Sequence, residues 1–404
     1  MSQLSLPLVG LVLMALAACG GADAGTSTLD ESATPTAPAP PPVAQPPANA
    51  FPGVAAFLTL DMNALPNFAA PSYPVHYDAA VMGRDNSGAN PVTNIGAALG
   101  SVLFHDRQLS VNGTVSCASC HQQADGFTDR TRFSVGFDGV RRTDMHSMRL
   151  ANARFQPDAG FFWDRRAATL EAQATEPIRN AVEMGFDSSV GGMDSLLRRM
   201  RTLPYYPELF RAAFGDSLIT EDRMQRALAQ YMRSIVSTLS RWDDEYARVY
   251  SLTVPNRGLN LNLAGLSAAE NRGRQLFFDP PPQGGAGCAG CHSAPTFALA
   301  VGVRGNGLDA GEVIAFKSPS LKNVAVRGPY MHDGRFETLE AVVEHYASGV
   351  RLGPALDQRL RGGNGQPLRL NLTAADKAAL VAFLGTLTDS VLLSDPKFGN
   401  PFRR

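Results

Sequence analysis

A mainly α-helical fold built from two similar tandem units is what this sequence predicts, and three observations carry the prediction. The hexapeptide Gly287-Cys288-Ala289-Gly290-Cys291-His292 has an earlier counterpart, Ser116-Cys117-Ala118-Ser119-Cys120-His121. Each is preceded by the pattern Gly-x-x-Leu-Phe-x-Asp, spelled by Gly100 to Asp106 in one case and by Gly273 to Asp279 in the other. A repeat of this kind means that one supersecondary unit is used twice. Helix caps and apolar residues at helical spacing bracket the second copy, so the repeating unit is helical.

Taken in order, the chain opens with an apolar run from Leu4 to Ala18. The run is too short to span a bilayer and has the length of a secretory signal's apolar core, so residues 1–18 read as a signal peptide. Leu16-Ala17-Ala18-Cys19 resembles the cleavage box of bacterial lipoproteins, which makes Cys19 the candidate for lipidation. Met1-Ser2-Gln3 departs from that pattern in lacking Lys or Arg, and a plain secretory signal with an incidental Cys is the alternative. Residues 19–50 are rich in Pro and Ala, with Pro40-Pro41-Pro42 and Pro46-Pro47, and read as a semi-extended tether. The expected location is the periplasm, with membrane attachment only through a lipid on Cys19.

The 404 residues are 44% apolar, enough for ordinary globular cores. A net charge of −1 supplies no basic field for nucleic acid. Of five cysteines four sit in the two hexapeptides. Disulfides are therefore not what holds the fold.

Cys-x-x-Cys-His is the attachment signature of c-type haem. The thiols of Cys117 and Cys120, and of Cys288 and Cys291, can form thioethers to the haem vinyl groups. His121 and His292 can each reach an iron from one side. A lone copy leaves a redox dithiol or half of a zinc site as lesser alternatives; two copies, each with its His, favour two covalently bound haem c groups.

Met224, Leu228, Tyr231, Met232, Ile235 and Leu239 mark one amphipathic helix after Thr220, and its Met residues read as core packing. Pro255-Asn256-Arg257-Gly258 is the expected joint, dividing the folded part into 51–258 and 259–404. Ser267-Ala268-Ala269-Glu270 fits a capping box, and a helix starting there brings Leu276 and Phe277 toward the haem. Thr373-Ala374-Ala375-Asp376 fits another, ahead of Leu380, Val381, Phe383, Leu384 and Leu387. A helix before the motif and another closing the unit is the arrangement of a small cytochrome c. The expected fold is thus two tandem cytochrome c-like haem domains. Each iron's second face has few candidate ligands: His345, His332, Met331, Met145, His146 and Tyr346.

Phe161-Phe162-Trp163-Asp164-Arg165-Arg166 and Val182-Glu183-Met184-Gly185 resemble segments of the bacterial dihaem cytochrome c peroxidase and MauG superfamily. So do Ser320 to Ala325, Gly328 to Gly334 and Thr338 to Tyr346. The resemblance covers roughly residues 90–395. In that family a Trp lies between the haems, a Gln follows ten residues later and a Glu twenty residues later. Here these are Trp163, Gln173 and Glu183, with Pro177 also in register. Read alone, Glu183 is a surface carboxylate at a helix start and Trp163 a core aromatic. The resemblance implies instead that Glu183 serves peroxide cleavage as acid and base, Gln173 orients the peroxide, and Trp163 bridges two haems.

The same resemblance sets further expectations. Seventeen residues after Pro329 the electron-accepting peroxidases carry a Met ligand; here Tyr346 stands there, as in MauG-like members. A phenolate favours ferric and higher iron, whereas a thioether raises the potential. Sixteen residues after the first motif, Phe137 replaces a removable distal His, which implies an open first haem with His146 the nearby substitute. The family's inter-haem calcium, held by an Asn side chain and backbone carbonyls, would fall on His146, Arg327 and Pro329, a doubtful donor set. The implied activity is reaction with hydrogen peroxide at the His121 haem. Oxidising equivalents would be shared with the other haem, in the service of a small periplasmic electron donor (a cytochrome c or cupredoxin) or of a protein substrate. A non-catalytic dihaem electron-transfer protein is the alternative.

Overall fold

The computed structural model describes residues 50–156 and 160–403, which belong to one compact unit beginning at Pro46. The signal segment, Cys19 and the Pro-rich tether lie outside the described residues. The architecture is mainly helical. Strand is confined, among the described residues, to the antiparallel pair His292–Ser293 and Ala298–Leu299 and to isolated bridges.

Two helix pairs organise the molecule, one for each copy of the repeat. In the first, Thr93 caps the helix Asn94–His105 by accepting from the Gly96 amide at 3.0 Å. This helix buries Leu99, Val102, Leu103 and Phe104 against Glu221–Ser234. Thr220 caps that second helix, and Glu221 and Asp222 complement the positive end of its dipole. In the second pair, the capping boxes at Ser267/Glu270 and Thr373/Asp376 are both formed. They open Ala268–Phe278 and Ala374–Gly385, which pack on each other.

The repeat's glycine has the same job in both pairs. A methyl at Gly100 would overlap the Ala227 carbonyl, and one at Gly273 would overlap the Ala379 carbonyl. Each glycine lets two helix backbones touch. The pattern's aromatic residue is used twice as well: Phe104 and Phe277 each line a cavity beside their own Cys-x-x-Cys-His motif. Leu276, expected beside Phe277 on the cavity, is instead buried in the core.

Each pair anchors its own hydrophobic cluster. The first includes Tyr206, Phe210, Met224 and Tyr231, so the Met stripe does pack in a core. The second includes Phe277, Phe297 and Phe383, and also Trp242 and Tyr246. The helix Arg241–Val249 thus packs with the second cluster although it precedes the Pro255–Gly258 turn. The chain's end returns to the first cluster, where Phe398 meets Phe68, Phe127 and Tyr231.

Two local readings differ from expectation. The helix after Thr220 stops at Ser234, whereas the apolar spacing extends it to Leu239. Backbone amides beyond it find long-range acceptors: Ser237 N donates to Asn152 Oδ1 at 2.9 Å, and the amides of Thr238 and Leu239 donate to Asp389 Oδ2 at 3.0 Å. The turn Pro255–Gly258 is tied down rather than free. Arg257 pairs with Asp78, which also accepts from the Tyr250 hydroxyl at 2.6 Å.

Candidate functional site

The first motif forms a short helical turn, Cys117–Cys120, entered from Ser116. Both cysteines are free, and burial pushes their thiols up to about 12 and about 11 respectively. They are neutral thiols facing a cavity of about 480 Å³. His121 Nδ1 lies 3.0 Å from the Phe127 carbonyl, so that nitrogen donates and Nε2 keeps its lone pair. Burial lowers the His121 pKa and keeps the ring neutral. A neutral imidazole whose far N–H is held by a carbonyl is what metal ligation requires. Phe127 is fully buried and adopts φ +59°, a left-handed backbone that aims its carbonyl at the ring.

The second motif repeats the thiols and the imidazole, but among the described residues His292 Nδ1 makes no hydrogen bond. Cys288 and Cys291 are free thiols raised by burial to about 12 and about 11. Burial takes His292 down to about 4, with the Phe297 backbone opposing it. Phe297 is again fully buried, with φ +51°. The cavity here is about 370 Å³ and mostly apolar. Two thiols and one neutral imidazole beside a cavity, twice over, fit covalently attached haem c.

Glu183, Gln173 and Trp163 all line the first cavity with His121. Gln173 comes from the short helix Leu170–Ala174, capped by Thr169. Glu183 lies in a loop rather than at a helix start. Asn180 Oδ1 accepts the Val182 and Glu183 amides at 2.8 and 3.1 Å, and the Glu183 carbonyl accepts from Phe137 N at 3.1 Å. Burial raises the Glu183 carboxyl above the usual range, opposed by the charge on Arg166. Among the described residues no hydrogen bond is donated to that carboxylate.

Phe137 does not line the cavity; its ring packs under Gly185. His146 does line it, but its ring is engaged. Nε2 is 3.1 Å from Thr128 Oγ1, and Nδ1 is 3.2 Å from the carbonyls of Thr131 and Arg132.

Tyr346 lines the second cavity with Cys288, Cys291 and His292. It sits in a π-helical turn, His345–Gly349, that follows the helix Leu339–Glu344. Such widened turns recur at functional sites. Burial pushes its hydroxyl up to about 12, and Asn306 Nδ2 donates to it at 3.5 Å. His345 is not among the cavity-lining residues; its Nε2 is 3.2 Å from the Asn306 carbonyl. Met331 and His332 do line the cavity, His332 stacked on Phe316 at 3.7 Å between ring centres. Asn306, which touches Tyr346, Met331 and His345, carries no signal in the sequence.

Trp163 lines both cavities. Its indole Nε1 donates to the His146 carbonyl at 2.7 Å, and its own carbonyl accepts from Lys317 N at 2.7 Å. The ring is therefore fixed between the two sites from both ends.

Together the helical fold and the paired Cys-x-x-Cys-His cavities define a dihaem c-type oxidoreductase. The family model described as di-haem cytochrome c peroxidase matches residues 94–249. The chain is 35% identical over 322 residues to the methylamine utilization protein MauG of Methylorubrum extorquens, an alignment spanning 74% of this chain and 80% of that protein. It is 30% identical over 268 residues to the cytochrome c551 peroxidase of Nitrosomonas europaea, covering 61% and 71%. A crystal structure of a MauG-like protein associated with microbial copper homeostasis is similar with TM-score 0.63 and 29% identity, over 85% of this chain and 99% of that one. The chain belongs to the dihaem cytochrome c peroxidase and MauG family and is an oxidoreductase of it.

Proposed function

We propose that this enzyme reduces hydrogen peroxide at the first cavity and draws the electrons through Trp163 from the second. The observation that carries the reading is the common lining of one cavity by His121, Glu183, Gln173 and Trp163, with Trp163 also lining the second. Bound at the two motifs, haem supplies the redox centres for the chemistry. Glu183 takes a proton from the near oxygen of peroxide and returns it to the departing one. A carboxyl whose pKa burial has raised is suited to both directions of that transfer. Gln173 orients the peroxide with its amide. Two electrons and two protons then convert one peroxide into two waters.

Tyr346 favours the MauG-like branch of the family, in which the electrons come from oxidation of a partner protein's residues. Tyr346, whose hydroxyl Asn306 holds in the cavity, would offer a bound haem a hard oxygen donor that as phenolate would favour oxidised iron. Phe137 agrees with an open first site, because it brings no imidazole to the cavity, and the His146 ring that does line it is engaged by Thr128, Thr131 and Arg132. The partner is accordingly a protein substrate, with a small periplasmic cytochrome c or cupredoxin the donor in the peroxidase branch.

The division into haem units at 51–258 and 259–404 belongs to the same proposal, with Arg241–Val249 packing across it onto the second unit. So do a periplasmic location and lipidation of Cys19. Among the described residues no helix is long and apolar enough to cross a membrane.

The test is turnover of peroxide by the holoprotein with a reduced small cytochrome. Slow turnover together with a high-spin first haem that reacts with peroxide supports the MauG-like reading. Rapid turnover moves the protein to the peroxidase branch. Two low-spin haems indifferent to peroxide would show a non-catalytic electron-transfer protein.

A further inference from the structure

Two basic side chains line both cavities: Lys317, which donates to the Gly160 carbonyl at 2.5 Å, and Arg149. Arg149 is 7% exposed. Its guanidinium donates to the Arg327 carbonyl through Nη2 and to the Asn323 carbonyl through Nε at 3.5 Å, and it lies 5.8 Å from the centre of the Tyr330 ring. Among the described residues no carboxylate stands within ion-pair distance of it. Asp125, whose charge it feels, is engaged by Arg130 at 2.6 Å and Arg327 at 3.5 Å. A buried charge needs compensation, and here backbone carbonyls and an aromatic face supply it. Burial lowers the pKa only to about 10, so the side chain is charged at neutral pH.

That arrangement bears on calcium, whose family donors would fall on His146, Arg327 and Pro329. The residues present do not fit the ion. The His146 ring is spent on Thr128 and on two carbonyls, and the Arg327 carbonyl is taken by Arg149. Calcium needs about six to eight oxygens. A guanidinium already sits on one of the few available.

We propose that Arg149 takes the place of calcium between the two cavities, its guanidinium occupying the Arg327 carbonyl that the family resemblance would assign to the ion. It holds the Asn323–Arg327 backbone and raises the electrostatic potential felt at both haem sites. A fixed positive charge favours the more reduced state of each haem. The proposal rests on the haem reading of the two cavities, and the test keeps the two apart because haem content is measured first.

Holoprotein carrying two haems is treated with EGTA and then with calcium, while spectra and midpoint potentials are followed. No change at either step is expected. Stoichiometric calcium, or potentials that move on chelation, would overturn the proposal. In Arg149→Met both potentials should fall, lowering the reduced fraction at a fixed applied potential by roughly ten-fold, the order one charge produces over about 10 Å at an effective dielectric near 20. Arg149→Lys should stay close to the parent. A folded, fully loaded Arg149→Met protein with unchanged potentials would also overturn it. Should that variant fail to load haem, chelation and Arg149→Lys still decide, and an Arg149→Lys protein with potentials far below the parent counts against it. A parent protein without haem would instead remove the reading on which the proposal rests.

Discussion

Replacing Glu183 by Gln is the sharpest perturbation the site allows, because the structure separates its chemical effect from its structural one. The amide keeps the volume and removes the proton acceptor. No described residue donates a hydrogen bond to the carboxylate, so the change breaks none, and the loop remains held by Asn180 and Phe137 through backbone groups. Burial raises the Glu183 pKa, so its ionised form is disfavoured in the fold. The sign follows: above the folded pKa the buried charge costs stability, and the cost vanishes as pH falls toward the ordinary carboxylate value. At neutral pH Glu183→Gln should therefore be as stable as the parent, within about 1 kcal/mol. Loss of general acid–base catalysis should slow the reaction with peroxide by about 10²–10⁴-fold, equivalent to roughly 3–5 kcal/mol of barrier. Stopped-flow spectra of the holoprotein mixed with peroxide measure this directly. In the parent the rate should fall as pH drops through a pKa above the usual carboxylate range, and in the variant that acid limb should disappear. A variant that reacts at the parental rate, or keeps the same acid limb, would remove Glu183 from the mechanism.

Tyr346→Phe should change the spectrum of the second haem while leaving the first intact; an unaltered spectrum would mean that its ligand comes from elsewhere in the cavity. Trp163→Phe should leave the first haem reacting with peroxide but uncouple the second, so that the two spectra no longer change together, and parental coupling would refute the bridge. Gly273→Ala forces a methyl onto the Ala379 carbonyl, and overpacking of this kind costs about 1–3 kcal/mol in denaturant unfolding. A loss below about 0.5 kcal/mol would show that the helix pair separates easily.

The fold was legible where the code is local. Capping boxes at Ser267 and Thr373 announce their helices because cap and partner are three residues apart. The glycine of the repeat was visible as a pattern but not as a cause, since its reason is a backbone carbonyl far along the chain, at Ala227 or Ala379. The false extension to Leu239 has the same origin. Apolar spacing continues there, but Asn152 and Asp389 capture the amides, and neither acceptor is near in sequence.

The site divides along similar lines. The family resemblance, counted along the chain, pointed to Trp163, Gln173, Glu183 and Tyr346, and each of them lines one or both cavities. Counting cannot see a residue whose importance lies in what it touches. Asn306 precedes Tyr346 by forty positions and reaches it only because the π-helical turn and the neighbouring loop converge on one cavity. Arg149 looks like any surface cation in the sequence, yet the fold buries it against the carbonyls of Asn323 and Arg327. Asn306 and Glu183 are the residues that make the paired cavities unequal: Asn306 lines the second alone and Glu183 the first alone, whereas Arg149 lines both. A chain that uses one helical unit twice thus assigns different chemistry to the copies through side chains outside the repeat. Exchanging the two motifs should for that reason leave the peroxide-reactive site where Glu183 is.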